Sequence, residues 1–367
     1  MDRIRVLVVE DSLTVRKYLV EVLSSAPTIE VVGQAADGRA AIELCQALRP
    51  DVVTLDMMMP VMTGLAVTEY VMAFIPTPIL IVSASLSRGE AFRTFEALAA
   101  GAVDVLDKPR NGAFDRTWEA RFVAAVKLVS RIPVVTHPRA RLGLDRPRGS
   151  EPSCTPTADT QRPPARSHAL SRPHAGAPVL VAIGASTGGP SAVASILAGL
   201  PASFSTPIVV VVHIGDAFLA PLVEWLDGQS RHRVRIAVDG ESLPRPAERC
   251  VLVAPSDRHL VVRHGRLRLT GDPERHSCRP SIDVFFESVA AEVGPRAVGC
   301  LLTGMGKDGA AGLLAMRRTG AVTLAQDEKT SVVFGMPREA LLLGAADAAL
   351  SIGDFPAALL AATGAVG

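Results

Sequence analysis

Two long stretches of this chain alternate short apolar runs with longer amphipathic segments, which restricts each stretch to a parallel β-sheet clothed by helices. From Arg5 to about Arg131 the strand-like runs are RVLVVED, EVVGQAA, DVVTLD, PILIVSA and AVDVLD. After Ala177 the pattern resumes with PVLVAIGAS, PIVVVVHI, CVLVAP, AVGCLLTGM and GAVTLAQ. Between the two, Pro, Arg, Ser, Thr and His crowd out large apolar residues, so that segment cannot bury enough surface to offset its ordering entropy and reads as a linker. The expected fold class is α/β, with two doubly wound parallel-sheet domains at 3–130 and 178–362 joined by a linker at 131–177. The length of 367 residues agrees with two cores rather than one. HLVVRHGRLRLTG interrupts the second pattern as two alternating strands meeting at His264-Gly265, a small hairpin beside the sheet.

Composition removes several classes of function. Lys plus Arg number 38 and Asp plus Glu 37, so no global positive field draws the chain to nucleic acid or an anionic membrane. Five scattered cysteines (Cys45, Cys154, Cys250, Cys278, Cys300) form no zinc-type or dithiol pair, in keeping with a reducing cytoplasm. The opening MDRIRVLVVEDS puts charges where a signal peptide needs an apolar core, and no apolar run approaches the ~18 residues of a membrane span. A soluble cytoplasmic protein without membrane insertion is expected.

In the first domain Glu10 and Asp11 close the first strand, Asp56 the third, Ser83 the fourth, and Lys108 follows the fifth. Ligand crevices of open α/β sheets lie at these strand ends, and clustered carboxylates suit magnesium. Terminal acids merely solvating a sheet edge would account for any one of these residues, but poorly for five at five strand ends. This set, over about residues 3–130, resembles the flavodoxin-like receiver domain of two-component response regulators. The resemblance implies phosphorylation of Asp56 by a histidine kinase, magnesium held by Glu10, Asp11 and Asp56, and Lys108 and Ser83 as the groups that sense the phosphoryl oxygens. It also implies a cis peptide at Lys108-Pro109. Val105 stands where many receivers carry an aromatic residue.

The second domain opens with an apolar run, a glycine-rich turn and a helix start, VLVAIGASTGGP, in which Gly184-Ala185-Ser186-Thr187-Gly188 matches G-x-S-x-G. Such a turn presents a serine hydroxyl above the sheet and offers helix N–H groups to an oxyanion; a phosphate cradle or a plain packing turn are the competing readings. A serine needs a base and an orienting carboxylate. His213 ends the next strand at the same rim, and Asp308, Asp283 and Asp257 compete for the acid, since spacing does not choose among them.

Residues 178 to about 360 resemble the catalytic domain of chemotaxis protein-glutamate methylesterases, a Rossmann-like α/β domain, through IGASTGGP, CRPSIDVFF, LLTGMGKDGAAG, AQDEKTSVVFGMPREA and GAADAALSIGDFP. The family implies Ser186 as nucleophile, His213 as base, Asp308 as orienting acid, and backbone N–H groups of Met305 and Thr187 as the oxyanion hole. It implies hydrolysis of glutamate methyl esters, with deamidation of glutamines, on methyl-accepting chemotaxis receptors, under receiver phosphorylation. Magnesium serves the receiver alone; the esterase step needs no cofactor. Val212 and Ile214 flank the histidine where the family usually has Gln and Met. Two alternatives are a response regulator with a non-catalytic binding output, and a nucleic-acid-binding regulator, which the α/β pattern and the absence of a basic stripe disfavour.

Overall fold

The computed structural model describes residues 3–84, 88–108, 116–134 and 179–364. The linker at 131–177 lies almost wholly outside them, as does the Lys108-Pro109 bond.

In the N-terminal domain β1 (Ile4–Val9), β2 (Ile29–Ala35), β3 (Val52–Leu55), β4 (Ile79–Ser83) and β5 (Asp104–Asp107) form one parallel sheet in the order β2-β1-β3-β4-β5. All five coincide with the apolar runs; β1, β3 and β4, inside the sheet and mostly buried, have no polar side to show. Helices α1 (Leu13–Ser24), α2 (Gly38–Leu48), α3 (Gly64–Phe74), α4 (Arg88–Ala99) and α5 (Arg116–Val129) connect or flank them. Side-chain oxygens of Ser12, Asp37 and Thr63 cap the first three helices by accepting an N–H three residues on. On α5, Trp118 stacks against Phe122 and donates from Nε1 to the Asp107 carbonyl (2.6 Å), fixing this helix to the end of β5.

The second domain is a seven-stranded parallel sheet made of β6 (Leu180–Ala185), β7 (Ile208–Val212), β8 (Arg233–Ile236), β9 (Cys250–Val253), β12 (Ala297–Leu301), β13 (Val322–Gln326) and β14 (Ala348–Leu350). Their order is β14-β13-β12-β6-β7-β9-β8. The chain builds outward from β6 in one direction, then returns to β12 and builds in the other, so the topological switch point lies between β6 and β12. Helices α6 (Gly189–Gly199), α7 (Asp216–Gln229), α8 (Ile282–Glu292), α9 (Ala310–Arg318), α10 (Met336–Leu342) and α11 (Phe355–Thr363) cover its faces. The separate antiparallel pair β10 (His259–Arg263) and β11 (Arg266–Thr270) is the expected hairpin, with Arg263 opposite Arg266 and both turn residues, His264 and Gly265, at positive φ. Leu260, Val262 and Leu267 bury its inner face in the core.

Two strands lack an apolar run in the sequence. Both β8 and β14 are short edge strands, where only one neighbour and partial burial demand apolar side chains. His232, just before β8, is nevertheless buried, its Nε2 2.9 Å from the Phe204 carbonyl.

The two domains share a packed surface. Phe95 of α4, fully buried, stacks on Trp225 of α7 (ring centroids 5.6 Å) and meets the edge of Phe218 (6.5 Å). A cavity of about 630 Å³ runs along this junction, lined by Leu98, Val103 and Ile132 from one side and Gly188, Ser191 and Val332 from the other.

Candidate active site

Ser186 follows β6 at the switch point. Its N–H donates to the Thr303 carbonyl (3.0 Å) and its carbonyl accepts from Gly189 (2.7 Å), which ties the turn between β6 and α6 to the loop leaving β12. Gly188, at φ 74°, begins the helix in a conformation that side chains rarely adopt. Gly304 allows the close approach of the other loop: a Cβ there would sit 2.7 Å from the Ser186 Cβ. The sharp turn expected from G-x-S-x-G is therefore formed, and the small residues are required by contact as well as by φ.

His213 leaves β7 beside it, its N–H donating to the Ala185 carbonyl (3.1 Å). Its Nε2 lies 3.0 Å from Asp308 Oδ2. Of the three acids that competed in the sequence, Asp308 is thus the one on the histidine. Asp283 is fully buried but accepts from the Gly312 N–H (2.7 Å) and His276 Nε2 (3.2 Å). Asp257 is largely exposed and pairs with Arg279.

The Asp308 carboxylate, 2 % exposed, is caged by donors. Oδ1 accepts from Ser281 Oγ (2.8 Å), Asp283 N (3.0 Å) and Gly309 N (3.1 Å), and Oδ2 from Ile282 N (2.7 Å) as well as from the histidine. Burial pushes this carboxyl up, but the His213 hydrogen bond and charge and the α8 N–H groups outweigh it and hold the group below the ordinary carboxylate range. For His213 burial acts downward and is outweighed by hydrogen bonds to Asp308 and Cys278, which raise the imidazole to about 9. Because Nε2 faces the carboxylate, Nδ1 is the nitrogen left to receive a proton, and Cys278 Sγ stands 3.7 Å from it.

Ser186 Oγ makes no hydrogen bond with any described residue, so the structure joins His213 to Asp308 directly and holds the serine on the same rim through main-chain bonds. The N–H groups of Met305 and Thr187 likewise have no acceptor among the described residues. Met305 is exposed (57 %). The Thr187 hydroxyl donates to Asp104 Oδ2 (2.9 Å) of the N-terminal domain, so β5 grips the residue next to Ser186. Burial pushes the Asp104 carboxyl up, against the hydrogen bonds from Val105 and Thr187.

At the carboxyl ends of β1, β3, β4 and β5 the first domain assembles its own cluster. Lys108 Nζ lies 2.7 Å from Glu10 Oε2 and 2.8 Å from Asp56 Oδ2. Glu10, Asp11 and Asp56 each bring a carboxylate oxygen within 4.8 Å of the others, a hard-oxygen set of the kind magnesium takes. Burial, with the Asp56 charge, raises Glu10 to about 7; burial also raises Asp56, against the Lys108 ammonium. Lys108 is itself raised, the two carboxylates overcoming burial. Ser83 is buried at the end of β4, its carbonyl accepting the Lys108 N–H (2.9 Å).

Sequence reasoning gave no role to Ser281, Asp104 or Cys278. Ser281 carries a readable signal as the N-cap of α8, three residues before the Val284 N–H it accepts. The other two act across elements distant in sequence, which no local pattern reports.

Residues 181–359 match the family described as CheB methylesterase, and residues 6–113 that of the response regulator receiver domain. A "Protein-glutamate methylesterase/protein-glutamine glutaminase 2" of Anaeromyxobacter dehalogenans is 42% identical over 97% of this chain and 96% of its own length. A protein of the same description from Nitrosospira multiformis is 41% identical over 97% of this chain and 96% of its own. Among solved structures, the Thermotoga maritima CheB methylesterase catalytic domain is 35% identical, covers 50% of this chain and 97% of its own, and superposes with a TM-score of 0.47.

Proposed function

The chain belongs to the CheB methylesterase family, with a receiver domain ahead of a carboxylic ester hydrolase domain, and from that premise we propose that it removes methyl esters from glutamate side chains of chemotaxis receptors, and deamidates glutamines there, through Ser186, His213 and Asp308. The observation that carries this reading is the caged Asp308 carboxylate on His213 Nε2, which orients the ring so that Nδ1, with Cys278 Sγ 3.7 Å away, is the nitrogen available to take a proton on the rim where Ser186 stands. In the reaction Ser186 Oγ attacks the ester carbonyl as Nδ1 takes its proton. The N–H groups of Met305 and Thr187 receive the oxyanion, methanol leaves with the proton, and water repeats the sequence on the acyl-enzyme. For a glutamine side chain the leaving group is ammonia.

Control comes from the receiver. Its carboxylates Glu10, Asp11 and Asp56 would hold magnesium, which supplies charge neutralisation for phosphoryl transfer from a chemotaxis histidine kinase to Asp56; Lys108 and Ser83 bind the phosphoryl oxygens. In the unphosphorylated state the Asp104–Thr187 hydrogen bond and the Phe95 stack on Trp225 support a receiver seated over the Ser186 rim. The segment at 131–177 tethers the two domains, and the receptor and kinase partners place the reaction in the cytoplasm. Among the described residues no helix is long and apolar enough to cross a membrane.

The test is methanol release from radiolabel-methylated receptor membranes by wild type and Ser186→Ala, with and without magnesium and a phosphodonor. Release that requires Ser186 and rises with phosphodonor is expected, with loss of about a million-fold in the variant. Undiminished release by Ser186→Ala removes the nucleophile assignment.

A further inference from the structure

The proposed base has a second neighbour that the esterase chemistry does not use. Cys278 Sγ lies 3.7 Å from His213 Nδ1, the ring nitrogen that Asp308 leaves free. The thiol is partly exposed, whereas Cys45, Cys250 and Cys300 are buried. Sulfur, imidazole nitrogen and the Asp308 carboxylate all fall within 4.8 Å of one another.

Two features suit this pair to chelation. A zinc ion bound tetrahedrally to a thiolate at about 2.3 Å and an imidazole at about 2.0–2.1 Å holds sulfur and nitrogen about 3.6 Å apart, close to the separation already present. Asp308 lies on the opposite nitrogen, so Nδ1 is the ring nitrogen that faces the thiol. A carboxylate behind the imidazole in this way is the usual support of a metal-bound histidine, fixing its ring and raising its basicity. Both donors are partly exposed, which leaves the remaining coordination positions of an ion open to water.

We propose that Cys278 and His213 form a chelating site for a soft divalent cation such as zinc, and that its occupancy switches the esterase off by taking the nitrogen that must accept the serine proton. Binding forms the sulfur–metal and Nδ1–metal bonds and releases to solvent the thiol proton and, where the imidazole is protonated, the proton on Nδ1; nothing is oxidised or reduced. The inhibitory half of the proposal rests on His213 as the base, while the metal-binding half does not.

Cobalt(II), the spectroscopic stand-in for zinc, is titrated into the full chain carrying Cys154→Ser, which removes the one cysteine outside the described residues and leaves four, of which Cys278 alone is not buried. One equivalent is expected to produce thiolate-to-cobalt charge-transfer absorption that zinc displaces and that both Cys278→Ser and His213→Gln abolish, with circular dichroism confirming that each variant is folded. In the methanol-release assay, zinc should depress wild type more than tenfold, reversibly with chelator, and Cys278→Ser should need at least about tenfold more zinc for the same loss. Absence of the absorption in the Cys154→Ser chain, or its survival in Cys278→Ser, overturns the site. A metal-loaded enzyme that still releases methanol at the metal-free rate overturns the inhibition. A protein that releases no methanol under any condition fails the esterase reading, and the cobalt spectrum decides the metal site on its own.

Discussion

Replacing Asp308 by Asn isolates the role of the caged carboxylate, since the two side chains share a shape and differ in one donor group. The new NH₂ must occupy either the Oδ1 position, facing Ser281 Oγ and the N–H groups of Asp283 and Gly309, or the Oδ2 position, facing the Ile282 N–H and His213 Nε2. The second is less costly, because His213 can answer by moving its proton to Nδ1. One buried N–H, that of Ile282, then loses its acceptor, which costs about 1–3 kcal/mol, and the loss of charge from the remaining bonds adds about 1.5–3 kcal/mol. A destabilisation of roughly 2.5–6 kcal/mol leaves the variant folded when wild type lies in the upper range of ordinary domain stability. Catalysis suffers more, since a protonated Nδ1 cannot accept the serine proton; wrong-tautomer variants of such triads lose about 10⁴ in kcat. Urea denaturation of the variant and methanol release under single-turnover conditions give both quantities. A folded Asp308→Asn enzyme within about tenfold of wild-type kcat would refute the assignment of Nδ1 as the proton acceptor, and an unchanged urea midpoint would refute the cage.

Phe95→Ala opens the junction between the domains; it should remove about 3–5 kcal/mol of packing and raise methanol release in the absence of phosphodonor, with little further gain when phosphodonor is added. The Asp104 carboxyl is raised by burial at the same junction, so the docked state holds its proton more tightly than the undocked one. Docking therefore strengthens as pH falls toward the ordinary Asp range and weakens above it, and Asp104→Asn should flatten the pH dependence of unstimulated activity over that interval. The His213 imidazole, raised from 6.5 to about 9, contributes stability that is complete below 6.5 and is lost as pH rises through about 9; the gap in unfolding free energy between wild type and His213→Asn should close over that window. Glu10, raised to about 7, must lose its proton before binding a cation, so the magnesium affinity of the receiver should climb as pH passes through 7, read by the magnesium needed for half-maximal phosphorylation of Asp56, and a chelator should abolish phosphorylation while leaving unstimulated ester hydrolysis intact.

Sequence by itself determined the central strands of both sheets, because residues buried on two faces must be apolar whatever lies beside them. It determined the strand-end positions of Glu10, Asp56, Lys108, Ser186 and His213 for the same reason, since each of these groups ends or follows an apolar run. The hairpin turn at His264-Gly265 was legible because a two-residue reversal needs positive φ. Edge strands β8 and β14 were not, as half their surroundings are solvent or loop. Spacing did not choose among Asp308, Asp283 and Asp257; the family resemblance implied Asp308, and the tertiary structure puts that carboxylate on His213. All three follow polar, loop-like text, and only the return of β12 to the side of β6 brings the loop of Asp308 under His213 while α8 turns its N–H groups onto the same carboxylate. The same return determined which imidazole nitrogen is free, and the meeting of β5 with the Ser186 turn placed Asp104 on Thr187, 83 residues away. Contacts of that range depend on how strands are ordered in a sheet, and strand order leaves no periodic trace along a chain.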